Sequence, residues 1–328
     1  MSDTFKSLRP WLLLATVAGL AATAWILSRT GWSDVLAQVA RIRLTGFGLF
    51  CLWFMGVFVI LGAAWHVVAR GEPQGRVWLF VAARMLREAA ADLLPFSHAG
   101  GIVLGVRLLT SHGVPQQRAN GGLLVDLTTE MASQVVFSCA GIAVFLATVT
   151  GGTEAARLRP LILGGTLVML AGAAAFVVAQ RAGLRLAGRV AASVLPGAAA
   201  ATDAILAELR AIYDRPGLVL RAFAFNLLAW TGSALGAWIG LRLMGVPASI
   251  WSMLMVESLI FTLRSMAFFI PGALGVQEFG YLLLAPIAQI PAEALLALSL
   301  VKRARDLAIG VPTLVCWQLT EMRALLAR

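Results

Sequence analysis

Apolar residues run along this chain in blocks too long for an ordinary soluble helix. Trp11 to Leu27, Leu44 to Ala69, Met131 to Val149, Leu161 to Gln180 and Leu218 to Leu243 are each able to cross the roughly 30 Å of a bilayer's hydrocarbon as a helix. Between them lie runs that are apolar but interrupted. Arg84, Arg87, Glu88 and Asp92 punctuate Val77 to Leu94 before Pro95 stops the run; Glu257 and Arg264 punctuate Ile250 to Ile270 before Pro271 does the same. Proline lacks the amide donor and clashes with the preceding turn, so a helix breaks or bends at each. The stretches that follow, PFSHAGGIVLGVRLLTSHGVP and PGALGVQEFGYLLLAPIAQIP, are short and glycine-rich for a full crossing. A hairpin that enters and leaves by one face, surrounded by protein rather than lipid, is expected in each. Gly183 to Arg215 and Trp32 to Arg43 read as interfacial connectors.

The two interrupted regions keep step. One offset of 176 residues carries Glu88 onto Arg264, Pro95 onto Pro271, Pro115 onto Pro291, Asp126 onto Lys302 and Glu130 onto Asp306. Charges inside apolar sequence that repeat with the prolines point to an internal repeat, with halves approximately 44–150 and 218–326 joined by a transmembrane helix and the second connector. The arginines from Arg181 to Arg221 and the N-terminus both read as cytoplasmic. That requires an odd number of crossings between them, which favours inverted halves over parallel ones. The expected fold is all-α: one polytopic integral membrane domain over residues 1–328, with about eight transmembrane helices and two re-entrant hairpins in a pseudo-symmetric, inverted repeat.

Composition agrees with lipid as the solvent, since 60% of the residues are hydrophobic and only 13% charged. The net charge of +10 does not signal nucleic acid, because the basic residues are spread among apolar segments and their ends rather than gathered in a patch. Only Lys6 and Lys302 are lysines. Lys6 and Arg9 before an apolar run with Ala22-Thr23-Ala24 resemble a cleavable signal, but the many later spans favour an uncleaved first helix. Cys51, Cys139 and Cys316 lie far apart in apolar sequence and read as small buried hydrophobes.

Arg84, Glu88 and Asp92 recur every four residues and share a helix face, as do Asp126 with Glu130 and Lys302 with Asp306. An ionised side chain facing lipid costs about 3 kcal/mol on insertion scales, so these stripes are expected to face one another or a wet cavity. Two readings are open: salt bridges that hold the halves in register, and the lining of a polar or headgroup pathway. Helix ends at Pro95 and Pro271 would offer unpaired amides to an anion, and Gly100, Gly101, Gly272 and Gly275 would admit close approach, or else close helix packing. Gln277 and Glu278 are the strongly polar side chains of the second hairpin. His66, His98 and His112 form no metal set, His98 alone lies in a hairpin, and Asn226 reads first as a packing residue. No catalytic residue, metal or cofactor is expected.

The run ESLIFTLRSMAFFIPGALGVQEFGYLLLAPIAQIPAEALLALSLVKRARD, from Glu257 to Asp306, resembles the lysylphosphatidylglycerol synthase transmembrane-region family, also called flippase-like membrane proteins. RMLREAAADLLPFSHAGG in the first half is similar to that family's other characteristic segment, and FFIPGALGVQE with KRARDL is most similar to its hopanoid-biosynthesis-associated branch. The resemblance implies a bacterial inner-membrane protein that moves or handles lipid, through two pseudo-symmetric re-entrant hairpins. It carries over Arg264, Pro271, Gly272, Gly275, Gln277, Glu278, Lys302, Arg305 and Asp306, with Arg84, Glu88 and Pro95 in the first half. The lysyl-lipid synthases add a cytosolic aminoacyl-transferase domain; this sequence closes at Arg328 without one, so that activity is not expected of it.

The expected function is therefore a lipid transporter, moving a hopanoid or another polar-headed lipid such as a phospholipid. The pathway would be lined by Arg84, Glu88, Asp126, Glu130, Glu257, Arg264, Gln277, Glu278, Lys302, Arg305 and Asp306. Neither lysine follows a glycine, so no phosphate-binding loop is present and ATP hydrolysis is not expected. The alternatives are a non-transporting scaffold for hopanoid-synthesis enzymes and an intramembrane lipid-modifying enzyme. Against the enzyme stands the absence of Asp-x-x-x-Asp, His-Glu-x-x-His and Gly-x-Ser-x-Gly motifs.

Overall fold

The computed structural model describes residues 21–326 apart from 22, 27, 70, 95–96, 149–159, most of 161–197, 267–269 and 271–272, and describes backbone only at 97–99, 146–148, 198–199, 201, 266 and 323–326. Among the described residues every regular element is a helix. In chain order these are α1 (Trp32–Arg41), α2 (Arg43–Val68), α3 (Val77–Leu93), α4 (Ser97–Ser111), α5 (Gln116–Thr148), α6 (Ala198–Tyr213), α7 (Pro216–Leu243), α8 (Ile250–Met266), α9 (Val276–Ala288) and α10 (Ala292–Leu326), with a short 3-10 turn at Gln74–Arg76.

Two expected spans, Leu44 to Ala69 and Leu218 to Leu243, reappear as α2 and α7. The third, Met131 to Val149, is only the second half of α5, which begins fifteen residues earlier. Pro115 starts α5 and Pro291 starts α10: each proline carbonyl accepts the first helical amides, from Ala119 at 2.9 Å and from Ala294 at 3.1 Å, at a position where a proline's missing N–H costs nothing. Among the described residues three helices are long and apolar enough to cross a membrane, Arg43–Val68, Gln116–Phe145 and Pro216–Leu243. The expected spans Trp11 to Leu27 and Leu161 to Gln180 lie almost wholly outside the described residues, as do Pro95, Pro271 and Gly272.

Small residues set how the helices meet, since lipid offers no hydrophobic drive for helix association and close van der Waals packing must supply it. Gly232, Gly236 and Gly240 form a four-residue ridge on α7. They receive Val57, Phe54 and Phe50 of α2 in reverse order, so the two helices pack antiparallel. The Trp53 indole adds a hydrogen bond of 2.8 Å to the Gly232 carbonyl.

The stretch from Pro95 to Pro115 was expected to be a hairpin in itself. It contains one helix, α4, and the hairpin is made with the helix before it. Gly101 lies against the Arg87 carbonyl and Gly105 against the Ala83 carbonyl, a pairing that runs antiparallel along α3 and α4. Leu94, at ψ 139°, takes the extended conformation demanded of a residue before proline and lets the chain reverse. The second stretch behaves alike: α9 is a single helix folded back on α8, with Gly280 under Ile260 and Leu263. Helices of 17, 15 and 33 residues thus follow one another in α3 to α5, and of 17, 13 and 35 residues in α8 to α10.

Gly101→Leu is expected to push α4 off α3 and destabilise the protein by about 1–3 kcal/mol, the range for overpacking a tight contact. Gly100→Ala, where an added Cβ meets nothing within 4 Å, is expected to be silent. Thermal unfolding of both variants in detergent checks the contrast; equal melting temperatures would remove the close contact from the account.

Candidate functional site

Two close-paired ion clusters and a loosely paired seam between them hold most of the charges found inside the apolar sequence. The first cluster joins α3 to α5. Arg84 and Arg87, three apart, present their guanidinium groups from one face of α3. Arg84 donates to Asp126 at 3.0 Å and to both Glu130 oxygens, and its Nε lies 3.0 Å from Glu88. Arg87 donates to Glu130 at 2.6 Å and more weakly to Asp126 at 3.4 Å. From α7, the Asn226 amide donates to Asp126 at 3.2 Å and to the Thr129 hydroxyl at 3.1 Å. Arg84 and Asp126 are 1% and 0% exposed, so their charges are compensated by protein alone. Only a fork with several donors meets two carboxylates in this way, which suits arginine and not lysine.

The second cluster joins α8, α9 and α10. Lys302 donates to Glu257 at 2.7 Å and to the Tyr281 hydroxyl at 3.1 Å, and that hydroxyl donates to Glu257 at 2.5 Å. A polar chain runs on from it. Arg264 donates to Gln277 at 3.1 Å, Gln277 to Ser299 at 2.6 Å, and Ser299 to Glu278 at 2.7 Å. Glu278 also accepts from Arg303 at 2.9 Å, and its second oxygen accepts the Gly275 amide at 2.9 Å. Gly275, at φ 80°, makes the turn into α9 that brings this amide to the carboxylate.

The two clusters are charge-reversed counterparts. Arg84 and Glu257 are each the eighth residue of their helix, and each meets its partner on the next long helix, Asp126 and Lys302 respectively. Of the three stripes expected to face one another or a wet cavity, Arg84–Glu88–Asp92 meets Asp126–Glu130 across α3 and α5, whereas Lys302 is matched to Glu257 of α8, so these pairs lie inside each group of helices rather than between the groups.

What lies between is less complete. Arg264 and Asp92, on the last turns of α8 and α3, approach to 3.7 Å and keep 26% and 29% of their side-chain surface. Glu88, Asp306 and Arg305 are within electrostatic reach of Asp92. Arg305 is paired with its neighbour Asp306, 21% exposed, and lies with its guanidinium carbon 3.9 Å from the centre of the Phe54 ring. Phe54 is the twelfth of the 26 residues of α2, so the seam sits at the level of that helix's middle.

Other expectations fare differently. At the α9 N-terminus the Glu278 carboxylate already accepts the Gly275 amide. Gly101 serves packing against Arg87, while Gly100 is exposed. Asn226 belongs to the first cluster. Cys139 and Cys316 are exposed rather than buried, which costs little where the surroundings are lipid. The His98 side chain lies outside the described residues, and among those described no group of three His, Cys, Asp or Glu side chains is arranged to hold a metal. Sequence reasoning gave no role to Arg87, Tyr281, Ser299 or Arg303. Spacing three from Arg84 and three from Ser299-to-Lys302 would have flagged Arg87 and Lys302's neighbours; nothing local would have flagged Tyr281.

Residues 12–313 match the family model described as lysylphosphatidylglycerol synthase TM region. The chain belongs to that family. No curated protein and no solved structure matches it. Membership over nearly the whole chain, together with three helices long and apolar enough to span, makes this an integral membrane protein of a lipid-related family. Both clusters and the seam fall within the matched residues, so the charges in the apolar sequence belong to the family's membrane region.

Proposed function

We propose that this protein is a lipid transporter of the flippase kind, which moves a polar-headed lipid past the seam formed by α3, α8 and α10. The observation that carries this reading is the contrast between the seam and its flanks. The flanking clusters satisfy their own charges; Asp92, Arg264, Arg305 and Asp306 stay partly exposed, with Arg305 against Phe54 halfway along the membrane-long α2. A charge kept there needs water or a polar headgroup beside it.

In this reading α3 to α5 and α8 to α10 are the two halves of an inverted repeat, and the α3–α4 and α8–α9 pairs are its re-entrant hairpins. Arg84, Asp126, Glu130, Glu257 and Lys302 brace the halves, and the headgroup meets Glu88, Asp92, Arg264, Arg305 and Asp306. Similarity to the hopanoid-associated branch puts a polar hopanoid first as cargo and a phospholipid second, in a bacterial inner membrane. Movement is passive or proton-coupled, and no catalytic step is assigned. A second reading, a scaffold for lipid-synthesis enzymes, draws support from the same close pairing within the buried clusters.

In proteoliposomes, accessibility of a headgroup-labelled hopanoid or phospholipid separates these. Wild type is expected to equilibrate the label between leaflets, and Arg264→Ala and Asp92→Asn to slow it by an order of magnitude or more at matched incorporation, as expected when a buried polar contact to the moving group is lost. Transport at wild-type rate in both variants would remove the seam from the pathway, and no transport by folded wild type would favour the scaffold.

A further inference from the structure

At the end of α7 opposite Pro216, the junction of α1 with α2 borders a groove of about 480 Å³, with Arg41, Arg43, Leu49, Leu243 and Met244 among its walls. Two residues that are two apart on a continuous helix point roughly 200° away from each other. Arg41 and Arg43 nevertheless line the same groove, because the helix breaks between them: Arg43 has φ 53°, a left-handed backbone that a long side chain rarely adopts. Strain of this kind persists where surrounding structure holds it, and here Ile42 is buried and Gly46 packs on Leu243.

Both guanidinium groups are exposed, and among the described residues neither has a hydrogen bond or an ion pair. That separates them from Arg84, Arg87, Arg264 and Arg303, whose donors are engaged. They are not needed to cap α7 either. The Met244 amide donates to the Gly240 carbonyl at 3.1 Å and the Val246 amide to the Leu241 carbonyl at 2.9 Å, so the helix closes its own end. The opposite wall is apolar, with Leu49, Leu243 and Met244. Outside the groove, Trp32 and Leu36 are exposed on α1, whose opposite positions carry Asp34 and Gln38, the pattern of a helix lying in the interface at headgroup level.

We propose that this groove is a binding site for an anionic phospholipid of the surrounding bilayer. The phosphate sits between Arg41 and Arg43, and one acyl chain runs along Leu49 and Leu243. The site is separate from the seam, and binding there does not depend on transport: a chain that moves no lipid still retains this one.

Native mass spectrometry of the full chain in detergent tests it, with phosphatidylglycerol and phosphatidylcholine of identical acyl chains as probes and inorganic phosphate as competitor. Wild type is expected to retain one phosphatidylglycerol with a preference on the order of ten- to thirtyfold, as two interfacial arginines facing an anionic headgroup imply. Arg41→Gln with Arg43→Gln is expected to abolish the preference and leave phosphatidylcholine retention unchanged. Equal retention of the two lipids by wild type overturns the proposal without reference to any variant. So does displacement by inorganic phosphate as effective as by the lipid, which would make the groove a plain anion site. A folded double variant that keeps the preference would place the lipid elsewhere.

Discussion

Arg84→Leu is expected to cost the protein a large share of its stability. The substitution leaves Asp126 buried and Glu130 largely so, with Arg87 as their remaining guanidinium partner and the Asn226 amide on Asp126. Breaking a buried ion pair from one side costs roughly 3–5 kcal/mol, and here two carboxylates away from water would share the single charge of Arg87. Net stabilities of about 5–15 kcal/mol make that a large share. Arg84→Lys should recover only part of the loss, since one ammonium cannot span Asp126, Glu130 and Glu88 together. Thermal unfolding in detergent reads both variants. An Arg84→Leu protein that melts with wild type would mean that water reaches this cluster and that the charges are not compensated by protein alone.

Glu257→Leu should be nearly as damaging, and there the loss should be reversible. Lys302 would keep the Tyr281 hydroxyl and the faces of the Phe261 and Tyr281 rings but no carboxylate, so a buried ammonium loses its counter-charge at a cost of roughly 3–5 kcal/mol. Adding Lys302→Met removes the orphaned charge, and replacing both members of a buried pair by apolar residues is often neutral. The double variant should therefore recover most of the stability, short of about 1–3 kcal/mol for the Tyr281 hydroxyl left without an acceptor. A double variant no more stable than Glu257→Leu alone would mean that Lys302 is held by contacts other than this carboxylate. Transport by the stable double variant adds a further distinction: activity retained assigns the pair to bracing, and activity lost assigns it to the pathway.

The charges themselves were legible, but their pairing was not. Arg84 and Glu257 stand out in sequence because ionised residues in apolar runs are rare, and the offset that relates Asp126 to Lys302 is visible without coordinates. That offset suggested stripes facing each other across the two halves. Each group instead closes on itself, Arg84 with Asp126 and Glu257 with Lys302, while Arg264 with Asp92 and the more exposed Arg107 with Glu321 span the gap. Which stripe meets which depends on how far each helix turns about its axis. Contacts such as Gly101 on Arg87 and Gly280 on Ile260 settle that rotation, and they involve residues far apart in the chain.

The boundaries divide along the same line. Helices α2 and α7 follow directly from the sequence, because an uninterrupted apolar run has one stable form in lipid, a helix whose backbone bonds are all internal. The first half of α5 escaped notice since Arg118, Asp126 and Glu130 make it too polar to read as a span; α3 and α7 meet the cost of Asp126 and Glu130, and Glu72, ahead of α3, meets that of Arg118. Pro95 determined where α3 stops, through the missing donor and the extended Leu94 before it. Whether the next segment forms a hairpin alone or folds back on its predecessor was decided by packing of glycine against a neighbouring backbone. Local sequence thus determined the helices and their breaks, which are properties of the chain in its solvent; the partners of every buried charge were decided by tertiary structure, because a charge removed from water is stable only where distant side chains converge on it.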